Sequence, residues 1–391
     1  MREGWKYKKL GDICESDLGK TLNQSKDDGE MCPYLCAINV QWDKIDLSTL
    51  KTARFTDIEQ EKYSVRKGDL LICEGGDIGR AAIWDRNTPF QYQNALHRVR
   101  FNGPAYYSRF YLLYLLFLKN KGILDTRYGK GVTIQHLVKS SLLSIYVPVP
   151  PLPEQERIVA EFDLLTGIID KQKAQMGELD TLAQSIFYDM FGDPIENEKG
   201  WATKQLRTII QVKGRVGWKG YKKEDLRDSG PLAIGGGHIT DSGEIDLSNP
   251  VFLSQEKYEE SPEIMIETGD LILVQRGTIG KVGLIKYDIG QATINPCVLI
   301  LRPYSINNVY ALHFFLSKSI QECLKKLVRG VAQPMITQQQ VNSIEIPVPP
   351  LLLQQSFAQK IQSIESQKES INRSIAETQK LFDYTMDKYF G

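Results

Sequence analysis

The apolar positions after residue 151 step alternately by four and three: Ile158, Phe162, Leu165, Ile169, Met176, Leu179, Ala183, Ile186 and Met190, with Gln172 the one polar member. This is the 3.5-residue period of a coiled-coil seam. The end of the chain holds the same register in Phe357, Ile361, Ile364, Lys368, Ile371, Ile375, Thr378, Phe382, Thr385 and Tyr389. So narrow a stripe suits a partner helix better than a broad core face. Each segment is therefore expected to pair with the other. Pro153 with Glu154 and Glu156 makes a good helix start, since acids favour the positive end of the macrodipole. Residues 153–191 predict a helix of roughly 58 Å at about 1.5 Å per residue.

The rest of the chain reads differently. GDLLIC, AAIWD, HRVRF, GDLILV and VGLIK are short β-branched and apolar runs punctuated by glycine, the pattern of strands. A helix is expected near 105–121 and again near 307–327. LLSIYVPVPP and VNSIEIPVPP then read as strands running into proline. These pieces form a direct repeat. PVPPL occurs at 148–152 and 347–351, and the same offset of 199 aligns Tyr111 with Tyr310, Gly131 with Gly330, and Phe191-Gly192 with Phe390-Gly391. KGDLLICEGGDIGR (67–80) matches TGDLILVQRGTIGK (268–281) at offset 201. A unit near 195 residues is a duplicated domain, not a solenoid repeat. The expected fold class is α+β. Two similar mixed α/β domains, 1–150 and 193–349, are joined by helices at 151–192 and 350–391 that form an antiparallel coiled coil. That pairing would give the repeat a pseudo-twofold axis, with inverted heads at a fixed separation. Such an arrangement suits two half-sites on duplex DNA, whose backbone shares that symmetry.

Composition narrows the function classes. The longest apolar run, Phe110 to Leu118, is too short to span a bilayer. The opening residues lack the apolar stretch of a secretory signal. Six scattered cysteines do not form a disulfide framework, and Cys32 with Cys36 has no second pair to complete a zinc site. A cytoplasmic chain with no membrane association, no metal and no cofactor is expected. The 391 residues carry 48 basic and 48 acidic side chains, which argues against a global basic field. By segment the balance changes. Residues 1–150 carry 22 basic and 17 acidic groups, 151–193 carry 3 and 9, 194–350 carry 18 and 17, and 351–391 carry 5 and 5. A basic first head was hidden by an acidic helix.

The order of parts is recognisable: a variable domain, a PVPPLPEQERIVAEFDLL helix ending in FG, a second variable domain, and a PVPPLLLQQ helix. It resembles the specificity subunit of type I restriction–modification systems over the whole chain. The resemblance implies two target-recognition domains, each reading half of an asymmetric bipartite site on double-stranded DNA. It implies helices that set the spacing and dock two methyltransferase (modification) subunits, with restriction/translocase subunits added outside. Methyl transfer and ATP-driven cleavage would then belong to those partners. The residues agree: Asn295-Pro296-Cys297-Val298 lacks the second proline and aromatic of an amino-methyltransferase motif, AIGGGHI (233–239) lacks GxGxxG spacing, and no GxxxxGK[ST] loop exists. Two competing readings are an enzyme with an unfamiliar site and a non-DNA two-headed coiled-coil adaptor that binds proteins or glycans.

Candidate DNA contacts are polar or cationic residues in glycine- or aromatic-rich loops. In the first head these are Lys20, Asn23, Gln24, Arg80, Gln91, Gln93, Asn94, His97, Arg98, Arg127 and Lys130. FQYQNALHR sets amides, which pair with adenine edges, beside basic groups. In the second head, KGRVGWKGYKKED interleaves cations with aromatics and offers Arg215, Trp218, Lys219, Tyr221 and Lys222. His238, Gln275, Arg276, Thr278, Lys281, Arg329 and Gln333 complete the set. Substituting Arg98 or Arg276 is expected to weaken one half-site only. With zero net charge, the chain alone is expected to bind DNA weakly, its partners supplying phosphate-neutralising charge.

Overall fold

The structure is a computed structural model that describes residues 4–23, 28–131, 135–215, 220–328 and 334–391. The expected contacts Gln24, Trp218, Lys219, Arg329 and Gln333 lie outside these residues. The chain divides into two compact units, one of residues 1–171 with 374–391 and one of residues 172–373. The division falls within both long helices, Leu152–Phe191 and Leu351–Phe390.

In the first unit, a four-stranded sheet runs Cys14–Leu18, Leu96–Phe101, Leu70–Cys73, Ala81–Ile83, with every pair antiparallel. A second sheet runs Lys51–Phe55, Glu30–Leu35, Phe90–Tyr92, Ser64–Val65, and its central pair is parallel. The helix Ser108–Asn120 is apolar nearly all round and buries Phe110, Tyr111, Leu112, Leu113, Leu115 and Leu118, so it forms the centre of the core. In the second unit the sheet order is Ile210–Lys213, Val298–Pro303, Leu271–Val274, Val282–Leu284. A three-stranded sheet again holds one parallel pair, Leu226–Ile234 with Ala292–Ile294. The single helix expected over 307–327 is two, Asn308–Leu316 and Lys318–Leu327. Ser317 breaks it: the residue is fully buried with extended backbone, and its hydroxyl donates to the Phe314 carbonyl.

Two devices recur in both units. Asp69 is buried and accepts from both the backbone N–H of Arg66 (2.7 Å) and the Arg100 guanidinium, at 2.7 and 2.6 Å. Asp270 likewise accepts from Glu267 N–H (2.7 Å) and from Arg302 at 2.8 and 2.8 Å. The Gly-Asp of the repeated motif is thus a bidentate ion-pair anchor between strands. At the start of the first long helix, the buried Gln155 accepts from Tyr107 N–H (2.9 Å) and donates to the carbonyls of Ala105 and Pro150. Gln354, at offset 199, accepts from Asn307 N–H (2.8 Å) and donates to Pro349 O. Each glutamine ties the root of a long helix to the loop ahead of its unit's apolar helix.

The long helices pack antiparallel within each unit. In the first, Phe162 meets Phe382 and Phe390 at 5.0 and 6.2 Å between ring centroids, and Tyr389 donates its hydroxyl to Glu161 (2.6 Å). In the second, Phe187 and Phe191 meet Phe357 at 5.7 and 5.3 Å. Ile158, Phe162, Leu165, Ile169, Leu179, Phe357, Ile361, Ile364 and Phe382 are buried, and Met176, Ile186, Ile371 and Ile375 half-buried. The seam drifts from Ile186 to fully buried Phe187 at its end, because a straight helix turns every 3.6 residues rather than 3.5. Lys368, a seam position, is buried with its ammonium 2.9 Å from Asp180. No described helix is long and apolar enough to cross a membrane.

Candidate nucleic-acid interface

In each head the loop after the third sheet strand is the hub of a loop cluster. Loop 74–80 turns back on itself, with Cys73 N–H donating to Arg80 O at 2.8 Å. Gly79 has φ +79°, and a Cβ there would lie 2.4 Å from Leu124, so only glycine allows the turn to close on the core. Glu74 N–H donates to Ala95 O (2.9 Å) and Glu74 O accepts from Leu137 N–H (2.7 Å). Lys20 O in turn accepts from Asn94 N–H (3.1 Å). These bonds collect residues 19–23, 74–80, 93–95, 130–131 and 135–137 in one place. The second head repeats the pattern. Gln275 N–H donates to Cys297 O (2.9 Å), Gln275 O accepts from Ile336 N–H (3.1 Å), and Arg276 pairs with Met335 where Gly75 pairs with His136.

On this shared backbone the side chains differ. Asn23, Arg127 and Lys130 are exposed in the first head, and Gln93 and Asn94 are half-buried in the cluster. Arg127 lies over the Tyr128 ring, 5.6 Å from its centroid. Gln91 is half-buried on its strand, its amide 3.5 Å from Gln60 O. In the second head Thr278 is exposed, and Gln275, Arg276 and Lys281 are half-buried. Gln275 donates to Pro296 O (3.0 Å), Arg276 approaches the Met335 sulfur (3.5 Å), and Lys281 pairs with Asp241 (2.7 Å). Arg215 lies over the Tyr221 ring at 5.0 Å, and the Tyr221 hydroxyl donates to Ile294 O (2.6 Å). Lys222 is exposed beside Glu224 (3.1 Å). His238 accepts at Nδ1 from Gly235 N–H (3.0 Å) and closes its own loop.

Three expected contacts need correction, because the structure turns them inward. Lys20 is 4% exposed, and its ammonium donates to Arg54 O (2.7 Å) and Glu59 (2.8 Å). His97 is fully buried with Nε2 2.7 Å from Leu137 O, and burial holds its imidazole below the ordinary value. Arg98 is 8% exposed and donates to Ser64 O (2.8 Å) and Asp17 (3.1 Å). These side chains brace strands, and their polar groups are taken up inside the head. Arg80 also faces its own fold, donating to Ala37 O at 2.7 Å. Burial opposes the ionised form of Asp17, yet Lys139 and Arg98 together hold its carboxyl below the usual range. Conversely, exposed His136 and half-buried Asn295 lie in the clusters and are absent from the expected contacts. Asn295 follows Ile234 as Gln93 follows Leu35, through one backbone bond of 2.9 Å in each head. That register crosses two insertions, which hid it in the sequence.

Comparison with known proteins agrees with this duplication. The family profile described as the type I restriction modification DNA specificity domain matches residues 2–178 and again 198–380. The MjaVIII type I restriction enzyme specificity subunit of Methanocaldococcus jannaschii is 24% identical, over 93% of this chain and 87% of its own length. The EcoBI specificity subunit of Escherichia coli is 22% identical, over 81% and 70%. Among solved structures, one from a study of complex assembly and conformational transition of a type I R-M system aligns with TM-score 0.61 at 18% identity, covering 100% of this chain and 98% of that one. The type I system S subunit from M. genitalium aligns with TM-score 0.51 at 16% identity, covering 100% and 98%.

Proposed function

Because this chain belongs to the type I restriction–modification DNA specificity family, we propose that it is the sequence-recognition subunit of such a complex and that each head reads one half of a bipartite, asymmetric site. Residues 1–150 and 193–349 act as target-recognition domains. Residues 151–192 and 350–391 set the distance between half-sites and dock two methyltransferase subunits, which restriction/translocase subunits join in the cytoplasm. Methyl transfer and cleavage reside in those partners.

The observation that carries this reading is the loop cluster built twice on one backbone plan with different side chains. Amides in the first cluster suit adenine edges, and the cations suit guanine edges or phosphates. Two unlike clusters give two unlike half-sites. Co-expression with a cognate methyltransferase, followed by a genome-wide map of methyladenine, is expected to return one split motif with a fixed gap. A continuous motif, or none, would overturn the reading. Inserting seven residues into both long helices is expected to change the gap, since two turns add about 10 Å, roughly three base pairs. Unchanged spacing would remove the helices' measuring role.

A further inference from the structure

The second unit holds a half-open cavity of about 750 Å³ between the helix Asn308–Leu316, the strand Val282–Leu284 and parts of both long helices. Its floor is His313, 6% exposed, with Phe357 5.1 Å away ring to ring. Gln184 Nε2 lies 3.3 Å from His313 Nδ1. With the amide donating there, the ring hydrogen sits on Nε2, which makes no hydrogen bond to the described residues. Burial pushes this imidazole down to about 4, so at neutral pH it is an uncharged donor. The Gln184 Oε1 is likewise without a partner. Leu284, Leu312 and Leu316 supply apolar walls. Of the lining carboxylates, Asp180 is held by Lys368 (2.9 Å), Glu365 by Lys286 (2.6 Å) and Asp241 by Lys281 (2.7 Å), which leaves Glu369 as the one outside an ion pair among the described residues.

The first unit closes the corresponding place. At offset 199, Asn308, Gln362 and His313 become Arg109, Asp163 and Tyr114. The Arg109 guanidinium donates to Asp163 and Asp43, and the Tyr114 hydroxyl donates to Tyr146 O (3.1 Å). One head therefore fills with an ion-pair clamp what the other leaves open beside the unsatisfied Gln184 amide oxygen.

We propose that this cavity binds a phosphate-free nucleobase or nucleoside, whose ring acceptor meets His313 Nε2–H and whose amino group faces Glu369. The volume suits a ligand of that size. The apolar walls take the ring faces, the neutral histidine does not reward an anion, and the Glu369 carboxylate repels phosphate. No loop of the recognition clusters contributes, so this site and the DNA reading stand or fall separately.

The test is calorimetric titration of the full chain with adenosine, and with adenosine monophosphate in parallel. Saturable adenosine binding is expected, with the monophosphate weaker by about tenfold or more. Asn308→Arg, which copies the first head's plug, is expected to abolish binding, and His313→Phe to weaken it about tenfold by removing one hydrogen bond. Exposed Glu369→Gln keeps the fold and is expected to narrow the gap between the two ligands. No saturable adenosine binding, equal binding of the monophosphate, or binding that survives both cavity variants would overturn the proposal.

Discussion

The two heads share what holds them up and differ in what they present. Asp69–Arg100 and Asp270–Arg302 bridge the same strands, and Gln155 and Gln354 root the two long helices by the same bonds. Around these anchors, Gly75 stands against Arg276, Asp77 against Thr278, and His136 against Met335. A duplicated fold diverges where side chains meet solvent and keeps buried polar groups whose loss would strand a partner. The proposed interface is thus placed where the copies disagree.

Removing an anchor should produce the largest effect, and in both heads alike. Asp69→Ala and Asp270→Ala each leave an arginine without its buried partner and are expected to cost about 3 kcal/mol, read by denaturant unfolding. A marked inequality would show that the heads do not share one skeleton. Acid should come next, and should separate the heads in degree. His313 has its pKa depressed to about 4 in the folded state against an unfolded value near 6.5. Its neutral burial is harmless above pH 6.5, and stability falls as pH drops from there toward 4, by about 3 kcal/mol. His313→Phe should flatten that fall, and an unchanged pH profile would contradict the assignment. Gln155→Ala and Gln354→Ala should each cost about 2 kcal/mol by leaving buried backbone groups unpaired. The smallest effect belongs to Lys130→Ala in the first cluster, which should weaken DNA binding by the complex by less than about 1 kcal/mol, without sequence preference, and lower its salt dependence.

Much of this architecture was legible in the sequence, for a physical reason. The seam and the repeat are local: a 3.5-residue stripe and a fixed offset need no knowledge of distant partners. Long-range pairing was not legible. Strands such as Glu30–Leu35 and Lys51–Phe55 lack clean alternation, and the parallel pair between Glu30–Leu35 and Phe90–Tyr92 joins segments far apart in sequence. The candidate site divides the same way. The loops that carry it were found from glycine and amide patterns. Which of their polar residues point inward depends on partners such as Glu59 for Lys20 and Asp17 for Arg98, 39 and 81 residues away. Asp69 and Gln155 look like ordinary surface residues in sequence, and only their backbone partners reveal them as anchors.

The central claim is that each head reads its own half-site, and loop variants in the assembled complex test it most directly. Methyladenine maps would be compared for the parent, for Gln93→Ala with Asn94→Ala in the first head, and for Gln275→Ala with Thr278→Ala in the second. Each pair is expected to relax one half of the motif, at about 1–3 kcal/mol per lost base contact, and to leave the other half and the gap untouched. Relaxation of both halves by either pair, or of neither half by both, would contradict the account.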